Sequence, residues 1–251
     1  MSDELSRIHA FLRDFARRRT PRLEPAPGGF AVLDERYPGS HDDNKLIVWT
    51  GDDPHAVIAA ADELLAGRGH RLVLVHDDRL GTAFAPAFTA AGYEHGVNVL
   101  MAHRGPREPA AAAAEHLDLA TLLPVVRAGW RASLPDADDE VITQLTDRVE
   151  TRLRGADTVA FRGVRDADGA LAATADLYLH DGVAQIESVV TVEAYRGRGH
   201  ARTLLTSMLA ETAAAGAGLV FLEADAADWP KDFYARLGFE PVGRIHTFLR
   251  W

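Results

Sequence analysis

The residues Arg196-Gly-Arg-Gly-His-Ala201 combine flexible positions with cations at a point where the pattern changes from strand to helix. Gly197 and Gly199 permit tight backbone geometry and close approach of a ligand. Beyond them Ala201, Leu204, Leu205, Met208 and Leu209 recur at helical spacing, so a helix starts near His200. Free N–H groups at a helix start, flanked by Arg196, Arg198 and Arg202, make an anion site suited to a pyrophosphate. Two familiar phosphate loops are excluded. There is no Gly-Lys-Ser/Thr for a P-loop, and the three-glycine dinucleotide spacing with its later acidic residue is missing.

The elements that must position this loop read along the chain as follows. Residues 1–20 carry an amphipathic helical pattern ending in Arg17-Arg-Arg19, cations suited to a helix C-terminus. Pro21 to Gly29 reads as a loop. Strands at 30–34, 45–49, 70–75 and 97–101 and helices at 56–65 and 81–91 give a β-β-α-β-α-β series. The Pro- and Ala-rich stretch 105–114 has linker composition, which divides the chain into 1–104 and 115–251. The second part opens with a helix over Leu119–Trp130. A longer helix runs to about Leu153, with Val141, Leu145, Val149 and Leu153 four apart. Strands 158–164 and 170–179 form a hairpin around Asp166-Ala-Asp-Gly169, and His180-Asp-Gly182 turns into the β-branched strand that reaches Val192. After the core helix come strand 219–224, a short helix near 230–237 and a closing strand 244–251.

The chain of 251 residues holds no cysteine, so disulfides, thiolate metal sites and a cysteine nucleophile are excluded. A net charge of −10 argues against non-specific nucleic-acid binding and mildly favours a cationic substrate such as an amine. The opening Met-Ser-Asp-Glu-Leu-Ser-Arg lacks a signal-peptide core, and no apolar run approaches a membrane span. A cytoplasmic protein without membrane contact is expected.

Arg196, Gly199 and Ala201 sit at the defining positions of an Arg/Gln-x-x-Gly-x-Gly/Ala pattern. With the preceding Val-Thr-Val and the later Phe233-Tyr-Ala-Arg-Leu-Gly-Phe239, the chain resembles the GNAT (GCN5-related N-acetyltransferase) superfamily. The resemblance implies an α/β (α+β) fold, a central mixed but mostly antiparallel sheet flanked by helices, over residues 115–251. An internal echo extends it. Phe88-Thr-Ala-Ala-Gly-Tyr-Glu94 aligns with Tyr234-Ala-Arg-Leu-Gly-Phe-Glu240, Gly92 on Gly238, and each precedes a strand. The first copy has no counterpart of the Arg196–Ala201 loop, so residues 1–104 read as a degenerate GNAT-like domain in tandem with the second.

The same resemblance implies acyl transfer from acetyl-CoA, as co-substrate, to an amine of a small molecule or protein, with no metal. Val190, Thr191 and Val192 would lie along the pantetheine arm, the Val192 N–H polarising the thioester carbonyl. Arg196, Gly197, Arg198, Gly199, His200 and Ala201 would hold the pyrophosphate, with Arg202 adding charge or remaining solvated. Tyr234 stands where the superfamily often places the acid for the departing thiolate, and a phenol can supply a proton at pH 7. Many relatives carry an asparagine upstream; here only Asp225 and Asp228 are available. Glu187, in phase with Val189 and Thr191 and opposite to Val190 and Val192, is the candidate base or a substrate ligand, and water-relayed deprotonation is equally compatible. His41-Asp-Asp-Asn44 reads as a turn, with a cross-domain active-site loop as the sharper alternative. His180-Asp181 reads as a hairpin tip, and Trp130 and Arg131 are weaker candidates for the acceptor pocket. The competing function is a non-catalytic acyl-CoA-binding or sensing protein, and longer acyl groups are compatible. Both monomer and homodimer fit.

Overall fold

The amphipathic start forms α1 (Asp3–Arg19), capped where Ser2 Oγ accepts the Leu5 N–H at 3.3 Å. In the computed structural model, which describes residues 2–108, 110 and 112–251, this helix lies across one face of a single eleven-stranded sheet. Ile8, Phe11 and Phe15 bury there against Leu100, Tyr178, Phe221 and Ile245. Residues 109 and 111 of the expected linker lie outside the described residues. Among the described residues no helix is long and apolar enough to cross a membrane.

The first half continues with β1 (Arg22–Ala26), β2 (Gly29–Leu33), β3 (Lys45–Val48), α2 (Pro54–Leu64), β4 (Arg71–Val75), α3 (Asp78–Ala90) and β5 (Glu94–His103). The second half holds β6 (Glu115–Leu117), α4 (Leu119–Ser133), α5 (Asp139–Asp147), β7 (Thr158–Arg165), β8 (Leu171–His180) and β9 (Val183–Thr191). It closes with α6 (His200–Ala214), β10 (Leu219–Asp225), α7 (Pro230–Ala235) and β11 (Phe239–Arg250).

The sheet order β1-β2-β3-β4-β11-β5-β10-β9-β8-β7-β6 contains a symmetry. In each half a strand, a helix and a parallel strand are followed by a second helix and a closing strand: β3-α2-β4-α3-β5 and β9-α6-β10-α7-β11. The closing strands are exchanged. β5 pairs antiparallel with β10 of the other half, β11 pairs with β4, and the two meet in the centre from Phe239↔His103 to Leu249↔Glu94. The halves distinguished in the sequence are therefore interleaved within one sheet. α2 and α3 cover one apolar cluster (Val57, Phe84, Phe88, Phe248) and α6 and α7 another (Leu204, Met208, Val220, Phe239).

Two expectations are corrected. The stretch 21–29 is not a loop throughout, because Arg22–Ala26 pairs with β2 in a hairpin. Pro25 is tolerated there because β1 is an edge strand. Gly28 (φ 70°) has no room for a side chain, since a Cβ would stand 1.9 Å from the Thr50 carbonyl oxygen. Likewise the helix expected to reach Leu153 stops at Asp147 and tightens into a 3-10 segment, Arg148–Arg154. That tightening carries Arg148 and Thr151 inward while Leu153 stays 47% exposed.

Candidate functional site

β9 and β10 run together for only three pairs, Val183↔Leu219 to Gln185↔Phe221. β9 then continues six residues further, so the sheet opens into a gap. A β-bulge sits at the mouth of this gap. The pairing with β8 slips between Asp176↔Glu187 and Thr174↔Val190, and Ser188 takes φ 54°. The extra residue reverses the expected alternation. Glu187 shares a face with Val190, while Val189 packs on the α6 side. The reading that put Glu187 in phase with Val189 and Thr191 fails because it assumed an unbroken strand.

The bulge is held from below. Arg152 Nη1 donates to Asp176 Oδ2 at 2.5 Å and to Ser188 Oγ at 3.1 Å, and the Tyr178 hydroxyl donates to the same Asp176 oxygen at 2.5 Å. Past it, Val192 donates its N–H to the Ala172 carbonyl at 2.9 Å. That corrects the expected use of this N–H on a thioester. The alternation of an antiparallel ladder turns the Thr191 N–H to the other side of β9, toward the gap.

The glycine loop follows a short 3-10 turn, Glu193–Tyr195. Gly197 (φ 77°) and Gly199 (φ 87°) both take left-handed backbone, which side chains resist. Gly199 opens α6 without a side-chain cap. Among the described residues the N–H groups of Gly197 to Arg202 make no hydrogen bond, while the Thr203 N–H is the first to be taken, by the Gly199 carbonyl. The loop is exposed and anchored by a residue that the sequence places only in a hairpin turn. Asp166 accepts from Arg198 Nη1 at 2.6 Å and pairs with His200 Nε2 at 2.9 Å. Arg198 and His200 thus hold the loop with their side chains and offer a ligand their backbone. Arg196, with Nε 3.3 Å from the Thr191 carbonyl, and Arg202 present exposed cations.

Tyr234 and Glu187 lie on opposite faces of the gap. Tyr234, 8% exposed, packs in the cluster under α6 beside Phe233 and Phe239, and burial followed by the Glu187 charge pushes its phenol up to about 12. Glu187 faces a cleft of about 430 Å³ roofed by α1. Burial, then the neighbouring Glu223 carboxylate, pushes it up to about 7. Gln185 Nε2 donates to Glu187 at 2.8 Å, and Asn98 Nδ2 donates to Glu223 at 2.6 Å.

The first half supplies the far wall of this cleft, including Lys45, His41 and Asp42. Burial works against the Asp42 charge, yet Arg148, Lys45 and Arg19 hold its carboxyl well below the usual carboxylate range. The His41–Asn44 segment therefore serves two purposes. Asp43 and Asn44 build the turn, Asp43 through Arg19 and Ser40 and Asn44 through Tyr37 and Ser40. His41 and Asp42 face the cleft. Trp130 lies under the Arg148 guanidinium (5.7 Å), and Arg131 is engaged by Ala137 and Asp139. His180 closes β8 and pairs with Asp157 at 2.8 Å. Sequence reading missed Asn98, Arg152, Asp176 and Glu223. A lone polar residue inside an apolar strand, as in Val-Phe-Leu-Glu223-Ala, was the available signal.

Residues 126–239 match the model of the acetyltransferase (GNAT) family. No curated protein matches the sequence. Among solved structures, a GCN5-related N-acetyltransferase from Kribbella flavida is similar over 99% of this chain and 95% of its own, at 20% identity and TM-score 0.63. A functionally unknown conserved protein from Staphylococcus epidermidis is similar over 90% and 92%, at 14% identity and TM-score 0.66. A GCN5-related N-acetyltransferase from Sphaerobacter thermophilus is similar over 89% and 76%, at 18% identity and TM-score 0.56. These likenesses concern the fold.

Proposed function

We propose that this chain, whose residues 126–239 match the acetyltransferase (GNAT) family model, transfers acetyl from acetyl-CoA to the primary amine of a small molecule. One observation carries the reading. β9 parts from β10 after Gln185, Glu187 lies on the parted stretch with its charge acting on the Tyr234 phenol, and the same strand leads on to the uncapped N–H groups of residues 197–202. The pyrophosphate falls to the N–H row with Arg196 and Arg202. Thr191 offers the backbone donor toward the thioester oxygen, a kind of contact worth about 3 kcal/mol.

In this reading Glu187 takes a proton from the bound ammonium, for which a pKa near 7 suits it at neutral pH. The free amine nitrogen then bonds to the thioester carbon as the C–S bond breaks. Tyr234 gives its proton to the departing sulfur, and the remaining surplus proton on nitrogen restores the phenol. Amide and thiol leave, and Glu187 returns its proton to solvent.

The first half is read as a second GNAT-like copy, 1–104, joined through 105–114 to the catalytic copy, 115–251. The repeated strand-helix-strand-helix-strand order supports this. β3 ends where its pairing with β4 ends, so that copy has no gap, and its role is to wall the acceptor cleft.

The test is CoA release from acetyl-CoA across a panel of amines, with wild type and Tyr234→Phe side by side and calorimetric titration of acetyl-CoA. Turnover that falls about 10²-fold in the variant at unchanged acetyl-CoA affinity is expected. Acetyl-CoA binding without turnover on any amine would instead mark a sensing protein.

A further inference from the structure

The cleft wall carries a charge imbalance that acyl transfer by itself does not require. Arg19 pairs with Asp43 at 2.6 Å, Arg152 with Asp176 at 2.5 Å, and Arg148 and Lys45 with Asp42 at 2.7 and 3.5 Å. Each of these cations is paired with an aspartate, Arg148 and Lys45 sharing Asp42. Among the described residues Glu187 and Glu223 have no such partner: the groups that donate to them are neutral, the amides of Gln185 and Asn98 and the Ser188 backbone N–H. The strand register brings the two together: Phe221 is opposite Gln185, so Glu223 follows beside Glu187 two residues on, where the strands begin to part.

Two half-buried carboxylates in this position oppose each other's ionisation. Burial raises both, the Glu223 charge raises Glu187 further, and Asp42 adds to both from across the cleft. Arg152 relieves Glu187 and Lys45 relieves Glu223 only in part. The cleft imidazoles contribute no charge near neutrality: burial pushes His41 down to about 4 and His76 well below the ordinary histidine range. A ligand with one positive charge gives an ionic partner to only one of the two glutamates. A ligand with two satisfies both, and a cleft of about 430 Å³ limits it to a small molecule.

We propose that the acceptor is a small diamine, one ammonium received by Glu187 and the second by Glu223, which makes Glu223 the residue that selects the substrate. This rests on the acetyltransferase reading above. Neither Gln185 nor Asn98 can supply the second charge, so the selection comes from Glu223 itself.

The test compares three acceptors of similar length, 1,4-diaminobutane, n-butylamine and 4-aminobutyrate, on the full chain with saturating acetyl-CoA. The diamine is expected to exceed both others at least 100-fold in kcat/KM. Glu223→Gln should raise the KM for the diamine tenfold or more, with kcat falling no more than threefold and acetyl-CoA affinity unchanged. Glu223→Asp should recover most of that loss, which separates lost charge from a damaged fold. Equal use of butylamine, preference for aminobutyrate, or an unchanged KM in Glu223→Gln overturns the proposal. If no amine turns over, the transfer reading fails on its own. Calorimetric titration of diaminobutane into the CoA-loaded protein then decides the site: binding lost in Glu223→Gln supports it, and no binding to wild type overturns it.

Discussion

Gly199 and Asp53 occupy the same position in the two strand-helix-strand units and leave opposite helix ends behind them. Gly199 starts α6 with φ 87° and puts no side chain on the free N–H groups. Asp53 starts α2 by accepting the N–H of His55 at 2.9 Å and of Ala56 at 3.2 Å, and Pro54 at the next position has no N–H to offer. An anion meets open donors at one helix and a carboxylate at the other.

Moving that carboxylate should therefore move the property. Gly199→Asp is expected to weaken acetyl-CoA at least tenfold by calorimetric titration. Gly199→Asn, which tolerates left-handed backbone equally but carries no charge, should lose much less. Asp53→Ala should cost about 1 kcal/mol of stability and leave one acetyl-CoA per chain. Equal losses from Asp and Asn at 199 would mean that backbone strain rather than charge decides binding.

The pH profile of kcat/KM should follow Glu187. Its carboxyl is held up to about 7 by burial and by Glu223, so the basic form grows as pH rises through that value. Activity is expected to climb between pH 6 and 8 and to stay level above, since Tyr234, pushed to about 12, keeps its proton. Glu187→Gln should lower the plateau by about 10²-fold and abolish the climb. A climb that survives the substitution would assign it to the substrate's own ammonium.

Much of this arrangement was legible in the sequence where the cause is local. Paired glycines before an apolar helical pattern set the 196–201 loop, and the Tyr-x-x-x-Gly-Phe spacing located α7 and the start of β11. The exchange of β5 and β11 was not legible, because either strand's apolar pattern suits any neighbour in the sheet. The bulge at Ser188 was hidden for a related reason: one inserted residue in a β-branched run leaves no mark on composition. The 3-10 segment mimicked helical spacing. The cleft pairs Arg148–Asp42 and Asn98–Glu223 join residues more than a hundred positions apart.

The Arg152–Asp176 pair supports the bulge from beneath, its side chains 13% and 4% exposed. Removing one member strands the other's charge, so Asp176→Asn should cost about 3 kcal/mol or more in urea denaturation. It should also lower kcat, because Ser188 and hence Glu187 lose their support. Ser188→Gly, which eases the left-handed backbone, should leave stability equal or higher. A full-activity Asp176→Asn protein would separate this pair from the site.

Acid should unfold the protein through a different pair. His9 and His76 are each 2% exposed, their rings 5.6 Å apart, and His9 Nε2 and His76 Nδ1 have no hydrogen-bond partner among the described residues. Burial, reinforced by Arg13, pushes His9 down to about 4, and burial with His9 beside it pushes His76 well below the ordinary range. Both imidazoles are neutral in the fold and titrate near 6.5 once unfolded. The unfolded chain therefore binds the extra protons. Stability from these groups is complete above about pH 6.5 and is lost as pH falls toward 4, His9 alone accounting for about 3 kcal/mol across that interval. Urea denaturation at pH 7.5, 6 and 4.5 should show that decline in wild type. His9→Phe, which keeps a ring in place and does not titrate, should flatten it by roughly that amount. If wild type and His9→Phe lose stability in parallel over this range, the acid sensitivity lies elsewhere in the chain.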